Sequence, residues 1–275
     1  MAELLFEIGT EEIPSDYLDQ GIEQMHHLFE SYLEENRLVS TGEIHCYGTP
    51  RRLTLIAYDL AGKQKDVVQE ITGPPKKIAF DQQGNPTKAA RGFAEKQGIA
   101  VEDLRIIETP KGEYLFIEQK IKGRSAGEVL TEILPKIAEN LSWPKSMRWG
   151  DVGFSFVRPI QWVLALLDGQ VLDFELAGLK SGNLTRGHRF MASGYIEVTG
   201  VTEYLDRLKQ GFVILDPQER IQEVERLVIE AGRELEGKAM NDPELLSTVS
   251  NLVEYPFVKA SINCRRIFNK VGHCR

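Results

Sequence analysis

The sequence predicts an α+β fold: mostly antiparallel strands with segregated helices over residues 1–200, followed by a small helical segment at 201–258. Three observations carry that reading. Short β-rich runs come in pairs joined by turn residues, which is the spacing of antiparallel neighbours rather than of a strand–helix alternation. Long helical stripes stand apart from those pairs. Helix start signals dominate the stretch after residue 200. With 275 residues, 42% of them hydrophobic, the chain has enough apolar material to bury a core.

In chain order, Leu4 to Ile8 reads as a buried strand, and Pro14 opens a helix whose apolar stripe is Leu18, Ile22, Met25, Phe29 and Tyr32. Glu43–Tyr47 and Arg52–Tyr58 form a strand pair around Gly48-Thr49-Pro50. The Gly, Pro and Gln content of Thr72 to Pro86 marks a long connection, followed by a short helix from about Thr87 to Gly98. Leu104–Glu108 and Tyr114–Ile121 make a second pair. Ser125 and Glu128 are spaced as a capping box, opening a helix through Leu141 in which Pro135 is expected to produce a kink. Val157–Leu167, Val171–Leu176 and Tyr195–Val198 read as strands, with Asp168-Gly169 as the tightest turn. Asp216-Pro217 and Asp242-Pro243 each start a helix; the first carries the stripe Ile221, Val224, Leu227, Val228, Ala231 and Leu235.

Composition excludes several classes. No run reaches the roughly 18 apolar residues of a membrane span, and the N-terminus lacks the basic start and apolar stretch of a signal peptide, so a cytoplasmic location is expected. Cys46, Cys264 and Cys274 are an odd set without metal-like spacing, and neither a disulfide framework nor a metal site is expected. His26 and His27 read as solvated helix residues. Gly62-Lys63 and Gly237-Lys238 lack the following hydroxyl and the upstream glycine of a phosphate-binding loop. There is no H-E-x-x-H, and Gly153-Phe-Ser-Phe-Val157 lacks the second glycine of a nucleophile elbow, so no catalytic residue is assigned.

The net charge of −8 is unevenly spread. Residues 1–48 hold eleven carboxylates against the single cation Arg37, a net of −10, which leaves +2 for the rest. Within 141–191, six cations face four carboxylates. Three stretches there mix cations, aromatics and turn residues: Trp143–Trp149 with Lys145, Arg148 and Trp149; Phe156–Ile160 with Arg158; and Thr185–Phe190 with Arg186, His188 and Arg189. Guanidinium forks bind phosphate bidentately and aromatic faces stack on bases, so these residues, with Arg51 and Arg52 after Pro50, are candidate RNA contacts. Each has a competing reading as a core residue or a paired structural group. Glu7, Glu11 and Glu12 form an acidic cluster, and the positive end of the following helix accounts for Glu11 and Glu12.

Eight motifs stand in order: Glu7-Ile-Gly-Thr-Glu-Glu-Ile-Pro14, Pro50-Arg-Arg-Leu53, Lys88-Ala-Ala-Arg-Gly-Phe93, Lys111-Gly-Glu-Tyr114, Pro144-Lys-Ser-Met-Arg-Trp149, Phe156-Val-Arg-Pro159, Arg186-Gly-His-Arg-Phe190 and Leu252-Val-Glu-Tyr-Pro256. Singly they are weak; together they resemble the beta subunit of bacterial heterotetrameric glycyl-tRNA synthetase, over its N-terminal portion. The resemblance implies a division of labour in which the alpha subunit performs the class II chemistry with ATP, magnesium and glycine. The beta subunit then contributes tRNA recognition and assembly in an alpha2beta2 heterotetramer. It implies that this chain is less than half of such a subunit, carries no cofactor and catalyses nothing alone, and that its partners are the alpha subunit and tRNA(Gly), without a membrane. It further implies a B3/B4-like domain, similar to the module used for editing in the phenylalanyl-tRNA synthetase beta subunit. An editing hydrolase is therefore the first alternative, although a glycine pocket excludes every larger side chain by clash. A pure protein-interaction scaffold built on the acidic first 48 residues is the second. Residues 259–275 depart from the family pattern and read as an aberrant tail, so Cys264, His273 and Cys274 receive no function.

Overall fold

The computed structural model describes residues 2–81, 83–151, 153–240 and 242–261. The chain divides into two compact units, one built from residues 1–62 and 125–275 and the other from 63–124. This differs from the 1–200 and 201–258 partition expected from the sequence: the late helices cluster with the first unit, and the smaller unit is an insertion. The sequence-expected tail lies almost wholly outside the described residues.

The first unit opens with β1 (Ala2–Thr10), α1 (Ser15–Glu35), β2 (Ile44–Thr49) and β3 (Arg52–Leu60). Helix α1 buries Leu18, Gly21, Met25, Phe29 and Leu33, the expected stripe turned slightly so that Ile22 and Tyr32 are half-buried. Strands β2 and β3 form the expected hairpin, with Thr49 opposite Arg52, so the two turn residues are Pro50 and Arg51.

The inserted unit holds β4 (Val67–Pro75), α2 (Lys76–Ala79), α3 (Lys88–Gln97), a 3-10 turn at Val101–Asp103, β5 (Arg105–Thr109) and β6 (Gly112–Ile121). Its sheet runs β4-β6-β5, all antiparallel, and packs Leu115 against Ala79 and Ala90 of the helices. Part of the expected Thr72–Pro86 loop is in fact the end of β4. Pro74 and Pro75 hid it; they are tolerated because β4 is an edge strand and its register shifts between Thr72 and Pro75. Helix α3 starts and stops as its residues dictate: Thr87 accepts from Ala89 N, and Gly98 takes a left-handed conformation, φ 66°.

The first unit resumes with α4 (Ala126–Asn140), in which Ser125 and Glu128 complete the capping box and Pro135 lies inside the helix. Eight strands follow: β7 (Met147–Arg148), β8 (Ser155–Phe156), β9 (Ile160–Leu167), β10 (Gln170–Val171), β11 (Glu175–Leu176), β12 (Leu179–Lys180), β13 (Leu184–Arg186) and β14 (Tyr195–Glu197). Asp168 and Gly169 have φ of 47° and 76°, the paired positive values of the hairpin turn their sequence announces. Helices α5 (Val201–Gln210), α6 (Pro217–Glu234) and α7 (Pro243–Ser250) follow. Asp216 and Asp242 cap α6 and α7 as expected, whereas α5 begins at Gly200 without a side-chain cap and left no local start signal.

The main sheet has the order β10-β9-β1-β3-β2, with every neighbour antiparallel. Because strand residues alternate faces, Leu4, Phe6 and Ile8 enter one core with Phe29 of α1 and Leu130 of α4. Leu5 points the other way, into a second core with Ile56, Leu164, Leu166 and Val201, Tyr204 and Leu208 of α5. The central strand is therefore buried on both faces, and the helices cover both.

Candidate functional site

The same alternation places Glu7 and Gly9 on the α5 face beside Leu5. Gly9 pairs with Arg52 and Trp162, Glu7 with Thr54 and Leu164, and Leu5 with Ile56 and Leu166. One end of that face is thus apolar and the other polar. At the polar end the indole of Trp162 lies across Gly9: a Cβ there would sit 1.9 Å from Trp162 Cε2, so this backbone contact demands glycine.

The indole joins a buried polar network, in which Glu254 Oε2 has no hydrogen-bond partner and lies 3.6 Å from Arg51 Nη1. Trp162 Nε1 and Tyr204 OH donate to Glu7, and Thr185 Oγ1 donates to Glu7 Oε1 at 2.6 Å. Arg52, fully buried, donates through Nη1 to Glu7 Oε2 at 3.2 Å and through Nη2 to Glu254 Oε1 at 2.9 Å. Thr49 Oγ1 donates to the same Glu254 oxygen at 2.8 Å. Burial opposes the charge on Arg52, but Glu254 and Glu7 more than offset it and hold the guanidinium above its ordinary value. Burial likewise pushes the Glu254 carboxyl up, and Arg52, Thr49 and Arg51 outweigh it, leaving Glu254 below the usual carboxylate range. Burial and the neighbouring Glu7 raise the Tyr204 phenol well above its usual value, so it serves as a donor.

Above this network, Arg51, Arg186, Gly187, Arg189, Ser193, Gly194 and Tyr195 line a cavity of about 310 Å³. The guanidinium carbons of Arg51 and Arg52 lie 5.6 Å from the Trp162 ring centroid, and that of Arg186 lies 5.2 Å from it. Arg186 also stacks 4.3 Å from the Tyr195 ring centroid and donates to its hydroxyl. Arg51 is only 6% exposed; its Nη1 reaches Gly187 O at 3.4 Å, and its buried Nε has no hydrogen-bond partner. Burial lowers the Arg51 value, partly offset by Glu254 and reinforced by Arg52 and Arg189.

The sequence-predicted residues fall into two groups. Arg51, Arg186 and Arg189 share the cavity, and His188 lies in the same loop. Lys145 and Arg148 instead sit exposed at the β7–β8 strand pair, and Trp149 is half-buried against the core with Phe154. Arg158 is half-buried and donates to Val157 O at 3.0 Å; Glu11 N bonds to Pro159 O, so Arg158 belongs to the same end of the sheet as the cavity.

Several residues have structural roles within the chain. Arg52 has no exposed surface and is an internal brace. His188 Nδ1 accepts the backbone N–H groups of Phe190 and Met191 at 3.3 Å each, shaping its own loop. Glu11 and Glu12 do more than face a helix end: both pair with Arg189, Glu12 at 3.5 Å. Sequence reasoning missed Glu7 and Glu254 as partners of Arg52, 45 and 202 residues away, although the alternation Leu5, Glu7, Gly9 already signals a polar residue on a buried face. It also missed that His26, His27 and Glu30 bring ligand atoms within 4.8 Å of one another; they sit on one turn of α1, His27 and Glu30 exposed and His26 half-buried.

A cavity walled by guanidinium groups on an α+β body is the equipment of a protein that meets anions. The family is narrower than that class. The family model described as glycyl-tRNA synthetase beta subunit matches residues 4–262, and the chain belongs to this family. It is 43% identical over 260 residues to the glycine–tRNA ligase beta subunit of Syntrophus aciditrophicus (strain SB), covering 93% of this chain and 37% of that protein. It is 46% identical over 255 residues to the protein of the same name from Desulforudis audaxviator (strain MP104C), and 41% over 253 residues to that of Clostridioides difficile (strain 630). The chain spans 37% of the length of each of these relatives.

Proposed function

We propose that this chain is the N-terminal portion of a glycine–tRNA ligase beta subunit that contacts tRNA(Gly) and supports assembly with the alpha subunit. ATP, magnesium and glycine are then handled by alpha, in a cytoplasmic alpha2beta2 enzyme. The observation that carries the tRNA half of this reading is the convergence on one cavity of Arg51 with Arg186 and Arg189, which lie 135 and 138 residues later in the sequence (186 − 51 and 189 − 51). Arg forks and the exposed ring of Tyr195 match phosphate and base chemistry. Among the described residues, no helix is long and apolar enough to cross a membrane.

The cavity is poorly equipped for editing. Its lining offers three guanidinium groups and the hydroxyls of Ser193 and Tyr195, while the nearby His188 ring accepts backbone N–H groups at Nδ1 instead of facing a nucleophile. The scaffold alternative keeps one feature in its favour, the acidity of residues 1–48.

Binding of tRNA(Gly) to the purified chain, followed against salt, tests the reading. Affinity falls steeply as salt rises, and Arg186→Ala weakens binding roughly tenfold or more, the loss of one charge-assisted contact. Salt-independent binding, or none, would refute it. Adenylate synthesis by the chain alone, or deacylation of mischarged tRNA, would move the chemistry into this subunit.

A further inference from the structure

The formal charges at the polar end of the sheet do not cancel residue by residue. Glu7 and Glu254 offset Arg51 and Arg52, and Arg189 faces Glu11 and Glu12. Arg186 has no carboxylate partner among the described residues; only the Tyr195 hydroxyl and two aromatic rings hold it. Arg51 adds a buried donor, Nε, that no protein acceptor meets, on a side chain more than nine-tenths buried in the cavity wall. Buried donors in folded proteins are ordinarily matched. The rim is open to close approach at Gly194, which has φ 128° and empty space where a Cβ would sit.

The pair between Arg189 and Glu11 differs from the buried ones. Its side chains are 36% and 39% exposed, so water screens it, and exchanging Glu11 for a stronger anion is cheap. A monocarboxylate offers one bidentate face, whereas a phosphate presents several oxygens to forks arriving from different directions.

We propose that this cavity binds one phosphate group, with Arg51 and Arg186 as its standing donors and Arg189 recruited from Glu11 when the anion arrives. For the origin of the phosphate, this inference rests on the tRNA-contact reading. The pocket itself can be tested without RNA.

The experiment titrates the 275-residue chain with inorganic phosphate by calorimetry, against chloride at matched ionic strength. Saturable phosphate binding is expected. Arg186→Ala should lower its affinity by about tenfold or more, Arg189→Ala by less, and Arg148→Ala not at all. Glu11→Gln should raise affinity severalfold by freeing Arg189, a gain that a merely structural role for these residues does not produce. Arg186 is half-buried and makes no ion pair among the described residues, so its loss leaves the fold standing; circular dichroism of each variant verifies this. No phosphate binding, or equal binding by wild type and Arg186→Ala, overturns the proposal. If phosphate binds and tRNA(Gly) displaces it, the group comes from RNA. If phosphate binds and tRNA(Gly) leaves it in place, the pocket stands as a free-phosphate site and the RNA reading of this face falls.

Discussion

Among the described residues of the first unit two guanidinium groups lie fully buried, Arg52 and Arg220, and they are neutralised in different ways. Arg52 sits between two carboxylates, Glu7 and Glu254. Arg220, on α6, is held by oxygen dipoles: its Nε donates to Ser250 O at 2.7 Å, Nη1 to Ile214 O at 2.8 Å and Nη2 to Gly48 O at 2.9 Å. Burial pulls Arg220 down to about 10, with Glu254, Asp216 and Asp19 opposing at longer range, so it stays charged at neutral pH but is less well compensated. The first group ties β1 and β3 to the segment after α7; the second ties α6 and α7 to β2. The difference teaches that Arg52 belongs to a charge balance in which each member needs the others, whereas Arg220 spreads its charge over groups that are neutral without it.

The largest effect expected is therefore at Arg52. Arg52→Met strands two buried carboxylates and should destabilise the chain by about 3–5 kcal/mol in denaturant unfolding. Arg220→Met leaves carbonyls underused and should cost about 2–3 kcal/mol. A larger loss for Arg220→Met than for Arg52→Met would break the comparison. Next, Gly9→Ala drives a methyl into Trp162 and should cost about 1–3 kcal/mol, with a shift in tryptophan fluorescence marking the displaced indole.

The pH dependence sharpens the same contrast. Because the folded Glu254 value is depressed, its contribution is full above the unfolded carboxylate value, about 4.3, and disappears as pH falls through the folded value. Stability should decline on acidification below about pH 5, and Glu254→Gln should flatten that slope while Arg220→Met leaves it intact. The smallest effect is expected at the exposed Arg148. Arg148→Ala should change stability by less than about 0.5 kcal/mol. If the β7–β8 strand pair touches RNA, the same change lowers the salt slope of tRNA binding by about one.

Elements with their signals in adjacent residues were legible. The Ser125–Glu128 box, Asp216-Pro217, Asp242-Pro243 and Asp168-Gly169 each satisfy their own backbone within a few residues, and each starts or turns the chain where expected. The stripe of α6 holds at Val224 and Ala231, but the buried position at its start is Arg220 and not Ile221, because an arginine on a core face contradicts the hydrophobic pattern until its carbonyl partners are known. Strand β4 was obscured by Gly73-Pro74-Pro75, and α5 by its uncapped start.

By itself the sequence determined the family, the α+β class, the paired strands and most helix starts, because caps, turns and periodic burial are local consequences of residue type. It also singled out the arginines. Only the tertiary structure decided their surroundings: residues 7, 52, 162, 185 and 254 meet through sheet register and the return of the chain after α7, and burial between two carboxylates separates Arg52, a brace, from Arg186, which lines a cavity and has no carboxylate partner among the described residues. Charge identifies a candidate, and solvent access, which no local pattern encodes, determines what it can bind.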